Sequence, residues 1–306
     1  MKIRNTIIAT AILGALTLTA WTADKAAKTP GPTTRPASKV VATVGTDTIT
    51  NEQVMVAMQR MRARTPQDAL DQLVNQKLIE AYVRSVPCSK EDIKAWKTKT
   101  EAKLKADKQG TLEEYMAKRK IPKEEIPQMV RFEKLNELAM KIASPAALDK
   151  FIKANPSYFD GTQVQASHIL LSCGSGSSTE ERTKTRKELE KIAADVKAGK
   201  VKFADAAKAH SKCPSGKSSG GDLGAFAFHR MVPPFSVSAF GMKVNDVSGI
   251  VETPFGFHII KVTKRTEGTG KPGPNAQQIA RQIVLGNFSD KIIAESRAKN
   301  PVRVIR

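Results

Sequence analysis

The stretch Val164-Gln165-Ala166-Ser167-His168-Ile169-Leu170-Leu171, running into Ser172-Cys173-Gly174-Ser175-Gly176-Ser177-Ser178, separates two kinds of sequence in this chain. Its first eight residues read as a strand, and the polar Gly/Ser run after them reads as a loop. An amphipathic helix carrying Leu189, Ile192 and Val196 follows, with Gly199 as its C-cap. A short helix over 203–210, a second Gly/Ser loop, a short extended piece and a helix near 235–240 come next. Two strands, around 247–251 and 257–262, close the region. These elements make an α+β unit with helices packed on one small sheet.

Upstream of Val164 the pattern is helical. Val40-Val41-Ala42-Thr43-Val44 and Thr48-Ile49 are short extended pieces around the turn Gly45-Thr46-Asp47. Thr50 with Gln53 is a helix start, Thr65-Pro66 places proline in the first helical turn, and Ser89 with Asp92 starts another helix. A further one starts at Ser144-Pro145. Leu70, Leu73, Val74, Leu78, Ile79, Tyr82 and Val83 recur at three-and-four spacing, the mark of one buried face. Downstream, the Gly268–Pro274 linker leads to a long helix over 275–298 with Ile279, Ile283 or Val284, Phe288, Ile292 and Ile293 inward. Val302-Arg303-Val304-Ile305 alternates like an edge strand. A lone helix and strand have nothing of their own to pack on, so both are expected to return to the N-terminal helices and make the middle unit an insert.

The expected divisions are a signal peptide over 1–23, a flexible linker over 24–39, a helical chaperone-like unit over 40–160, the α+β unit over 163–267, and a returning helix and strand over 274–306. Lys2 and Arg4 precede an apolar run from Ile7 to Leu18, with small residues suited to cleavage after Ala20 or Ala23. That predicts export, with an uncleaved N-terminal anchor as the alternative. Trp21 stands where a lipoprotein signal requires cysteine. The net charge of +20 attracts anionic surfaces, including weakly a membrane surface. No zinc-finger spacing, paired RNA-reading aromatics or recognition-helix signature accompanies it, so no specific nucleic acid is expected. Three cysteines, Cys88, Cys173 and Cys213, cannot make a complete disulfide framework.

Five blocks lie in order across the α+β unit: Ala166-Ser167-His168-Ile169-Leu170-Leu171; Phe203-Ala204-Asp205-Ala206-Ala207 with Ser211-Lys212-Cys213-Pro214-Ser215-Gly216; Gly220-Gly221-Asp222-Leu223-Gly224-Ala225-Phe226; Met231-Val232-Pro233-Pro234-Phe235; and Thr253-Pro254-Phe255-Gly256-Phe257-His258-Ile259-Ile260. Together they resemble the parvulin-type peptidyl-prolyl cis/trans isomerases. The surrounding layout resembles the SurA and PrsA foldases, although the turn after Val44 departs from their usual Asn-Gly. The resemblance implies a parvulin (FKBP-like) domain inserted in a mostly helical SurA-like chaperone domain.

Rotation about an X–Pro bond crosses a barrier of about 18–20 kcal/mol, because amide resonance is lost at the twisted geometry. No bond need break, so apolar walls that hold the ring, exclude water and favour the twisted state suffice, with a few neutral polar groups. By resemblance Leu223, Met231 and Phe235 form the proline pocket, with Phe226 and Phe257 close to it. His168, His258, Thr253 and Cys213 are the candidate catalytic set. The histidines either tune charge at Cys213 and the substrate carbonyl or hold the shape of the site. Neither metal nor cofactor is expected, since the histidine and cysteine spacing matches no ligand pattern.

Phospho-directed parvulins carry basic residues just after the first strand, and Ser172–Ser178 contains none. The expected partners are therefore unfolded or nascent exported polypeptides with unmodified X–Pro bonds, met in the periplasm. The alternative is a holdase whose parvulin module is inert.

Overall fold

The computed structural model describes residues 38–305, apart from 62 and 64. The expected signal peptide and nearly all of the linker lie outside the described residues. The chain opens with β1 (Val40–Val44), β2 (Asp47–Thr50) and α1 (Asn51–Met61). Thr50 and Gln53 bond each other reciprocally, side chain to backbone, at the start of α1. α2 (Pro66–Ser85) and α3 (Lys90–Ala106) begin with full capping boxes, Thr65 with Asp68 and Ser89 with Asp92. α4 (Leu112–Lys118), α5 (Ile126–Ile142) and α6 (Pro145–Ala154) complete the first helical stretch. Ser144 stands before α6 but makes no side-chain cap bond.

The middle unit runs β3 (Gln163–Ser172), α7 (Thr179–Lys197), α8 (Phe203–His210), α9 (Pro214–Ser219), β4 (Asp222–Ala227), α10 (Pro233–Gly241), β5 (Val251–Thr253) and β6 (Gly256–Thr266). Its antiparallel sheet has the order β4-β3-β6-β5. Two details differ from the sequence reading. The Gly/Ser stretch after Cys213 is not all loop: Pro214 at the first turn and Gly220 in left-handed conformation at the end bound a helix between them. The strand expected at 247–251 pairs only from Val251, because the Ser248 hydroxyl takes the Ile260 N–H at 2.9 Å and leaves a single bridge, Val247 to Lys261, ahead of it.

α11 (Ala276–Lys299) and β7 (Val302–Val304) then return to the N-terminal half. β7 pairs with β1 to give a second sheet, β2-β1-β7. Ser296 of α11 donates to the Leu78 carbonyl of α2 at 2.6 Å. The middle unit is thus an insert between α6 and α11. Its two ends are stitched together, with Thr269 N–H on the Asp160 carbonyl at 2.9 Å and Gly273 N–H on the Phe159 carbonyl at 2.8 Å.

Side-chain alternation divides the four-stranded sheet into two faces. Ile169, Leu171, Phe257 and Ile259 pack with Leu189, Ile192 and Phe203 of α7 and α8. Val164, Ala166, Ile260 and Val262 pack on the other side with Phe235 and Phe240 of α10. This second core does not stop at the insert. It continues through Leu148 and Ile152 of α6 and Ala280 and Ile283 of α11, all buried. Each leucine or isoleucine so removed from water stabilises the joint by roughly 1.5–3 kcal/mol.

Candidate active site

His168 on β3 and His258 on β6 share a sheet face, because the register sets Leu170 opposite His258 and His168 opposite Ile260. The two imidazoles lie diagonally across the strand pair. Their Nδ1 atoms are 3.1 Å apart and their rings nearly parallel. Both are buried, and burial lowers the pKa of each below the ordinary histidine value, the neighbouring imidazole pushing His258 further down. At neutral pH both are uncharged.

The pair is the middle of a chain of five polar groups. Thr253 Oγ1 lies 2.8 Å from His258 Nε2. At the other end Ser215 Oγ lies 3.5 Å from His168 Nε2 and donates to Cys213 Sγ at 3.3 Å. With neutral rings one consistent proton arrangement runs from the Thr253 hydroxyl through His258, His168 and Ser215 to the Cys213 sulfur. The reverse runs from the thiol to Thr253, whose hydroxyl then turns to the Gly256 carbonyl at 3.5 Å. Each ring donates one bond and accepts one in either case, so the cost of burying it is offset.

Backbone geometry holds this chain in place. The hydroxyl of Ser211, itself buried, accepts the N–H of Leu170 at 3.1 Å and of Cys213 at 3.3 Å, which fastens the loop to β3. Gly221 has φ +89°, and a Cβ there would stand 2.3 Å from the His168 carbonyl oxygen. Only glycine lets the chain pass His168 this closely while accepting its N–H at 2.9 Å.

Above the histidines Phe235 presents its ring edge-on to both, with centroids 5.6 Å from His168 and 5.5 Å from His258. Phe235 is only 3% exposed, so it is a floor rather than an open wall. Leu223 and Met231 are half-buried and pack on the same core as Phe235. Phe226 is buried behind Phe235, with ring centroids 6.1 Å apart, and belongs to the core. Phe257 does not join the group. Its side chain points to the opposite sheet face, because it is one residue from His258 on a strand, and it packs with the α7 and α8 core under the Arg182 guanidinium. His210 and His229 are exposed and apart from the site.

Three participants are not predicted from the sequence. Ser215 joins Cys213 to His168, and its position within the Cys213–Gly216 block is the only signal for it. Arg182 and Glu252 form an ion pair in which the buried guanidinium also donates to the carbonyls of Cys173 and Gly174, tying β5 to the loop after β3. An arginine on the first turn of a helix, ahead of the apolar face that begins at Leu189, gives no sequence hint of that burial. Cys88, Cys173 and Cys213 are all unpaired, and the described residues contain no group of side chains suited to a metal ion.

Comparison with known proteins identifies the family of the middle unit. The PPIC-type PPIASE domain family matches residues 148–266. A peptidyl-prolyl cis-trans isomerase Pin1 of Malus domestica is 40% identical, over 34% of this chain and 95% of that protein. The foldase protein PrsA of Geobacillus kaustophilus is 36% identical over 35% of this chain and 34% of its own length. The chaperone SurA of Shigella dysenteriae is 31% identical over 47% of this chain and 34% of its own length. A neutral histidine pair beneath an apolar rim, with nearly the whole of a Pin1 sequence laid along it, places this chain in the parvulin-type family of peptidyl-prolyl cis/trans isomerases.

Proposed function

We propose that the enzyme acts on unmodified X–Pro bonds of unfolded exported polypeptides and that its helical part binds the same chains as a chaperone. The observation that carries this is the loop after β3. Ser172–Ser178 contains no cation, and its Gly176 N–H donates to the Asp71 carboxylate of α2. The arginines that reach this loop from outside it, Arg182 and Arg297, donate to its own carbonyls, so the loop itself offers a phosphate dianion no cation and this reading favours neutral prolyl segments as the substrate class. The relatives named chaperone and foldase support the binding role. The basic N-terminus with its apolar run supports export to the periplasm.

In this reading Met231 and Leu223 hold the proline ring over Phe235. The surrounding apolar residues strip water from the amide, and the Cys213 end of the polar chain faces the carbonyl as it twists. Met231→Ala in the full chain should lower kcat/KM for a short X–Pro peptide by about tenfold, a loss of about 1.4 kcal/mol of transition-state contact. Exchange spectroscopy on the peptide measures it. Unchanged turnover would take Met231 out of the proline pocket, whereas no acceleration of exchange by the wild-type chain, with suppression of client aggregation intact, would favour the holdase reading.

A further inference from the structure

The catalytic reading leaves one edge of the N-terminal sheet unused. Ile305 donates its N–H to the Val41 carbonyl at 2.8 Å, and Gly45 donates to the Pro301 carbonyl at 3.0 Å. In the same register Thr43 stands opposite Arg303. The odd-numbered residues of this strand therefore turn their backbone groups toward β1, and Val302 and Val304 turn theirs away. The Val302 N–H follows that rule by donating to Thr179 Oγ1 of α7 at 2.9 Å. The carbonyl of Val302 and both backbone groups of Val304 meet no partner among the described residues.

These three open ladder positions face a cleft of about 710 Å³ between β7 and the first half of α7. Lys184, Lys187 and Arg303 line it, are exposed, and form no ion pair among the described residues. Glu180 is the acidic residue of the lining. Val304 and Ile305 are 38% and 44% exposed. Folded proteins ordinarily cover or bulge such an edge, because it templates a further strand. Here the N-terminus of α7 covers the edge at Val302 and stops.

We propose that β7 and α7 form a strand-addition site for an extended polypeptide segment carrying acidic side chains. The segment's backbone completes the open ladder of β7, and its carboxylates meet Lys184, Lys187 and Arg303. No residue of the cleft belongs to the catalytic site, so the proposal stands apart from the isomerase reading.

The test uses the full chain and a fluorescent, proline-free octapeptide alternating Val with Glu, titrated by anisotropy at low salt. Binding should saturate, weaken by about tenfold in the Lys184→Glu/Lys187→Glu double variant, and vanish when Lys replaces Glu in the peptide. Val304→Pro removes an outward N–H and none of the bonds to β1, so it should fold and lose binding. Hydrogen exchange at residues 302–305 should slow when the peptide is added. No saturable binding, binding indifferent to both variants, or exchange unchanged at β7 would each overturn the proposal. So would a concentration-dependent dimer abolished by Val304→Pro, since the edge would then be occupied by a second copy.

Discussion

Burial of the two histidines has a consequence that can be measured. Each is held neutral in the folded protein with its pKa lowered, whereas the unfolded chain takes up protons near pH 6.5. Below that pH the unfolded state binds more protons than the folded one, so stability is complete above about pH 6.5 and falls as the solution is acidified. The loss is at most about 1.4 kcal/mol per pH unit per histidine. Denaturant unfolding at pH 7, 6 and 5 should show this slope, and His258→Asn should reduce it. Phe235 makes the complementary case. Its buried place edge-on against both imidazoles means that Phe235→Ala should cost about 3–5 kcal/mol of stability, unlike Met231→Ala at the half-buried rim. Thermal melting of the two variants separates them. The sequence motif offers both residues for the pocket but cannot tell floor from rim, since exposure depends on which neighbours cover a ring.

At the scale of elements, the strands and caps were legible and the turns between them were less so. The pattern at Val164 and the apolar residues of β6 announce a sheet, and Thr65-Pro66 and Ser89 announce their helices. The short helix α9 was hidden because Gly and Ser dominate it, and only its Pro214 and Gly220 bounds make it a helix. Phe257 misled because a motif lists neighbours in sequence, while a strand sends adjacent side chains to opposite faces. Gly221 is the tightest constraint on how β4 meets the histidine strand. Gly221→Ala adds both left-handed strain and a clash with the His168 carbonyl, and should cost more than about 2 kcal/mol. A melting temperature equal to that of the wild type would show that β4 can shift to make room.

For the molecule as a whole, the main surprise is how firmly the insert is joined to its surroundings. Tyr158 stacks on Phe228 with centroids 4.1 Å apart and meets Phe240 edge-on, although Tyr158 precedes β3. Phe159 is buried in the same core. Sequence periodicity cannot show this, because the helices of each half have complete apolar faces of their own. A fragment over 148–267 should therefore melt at least several degrees above one over 163–267, with both still speeding prolyl exchange in their folded fraction. Equal melting temperatures would mean that the shared core contributes little.

The return of the last helix and strand also sets an order of events during synthesis. The sheet of the insert is complete once Thr266 has been made, and its ends close on each other by Gly273. The framework cannot close then. β1 still lacks β7, and α2 lacks α11, until the chain reaches residue 304. A ribosome delivering this protein from its N-terminus would thus release a closed insert sheet while the core face that α11 completes and the apolar seam of the framework are still exposed.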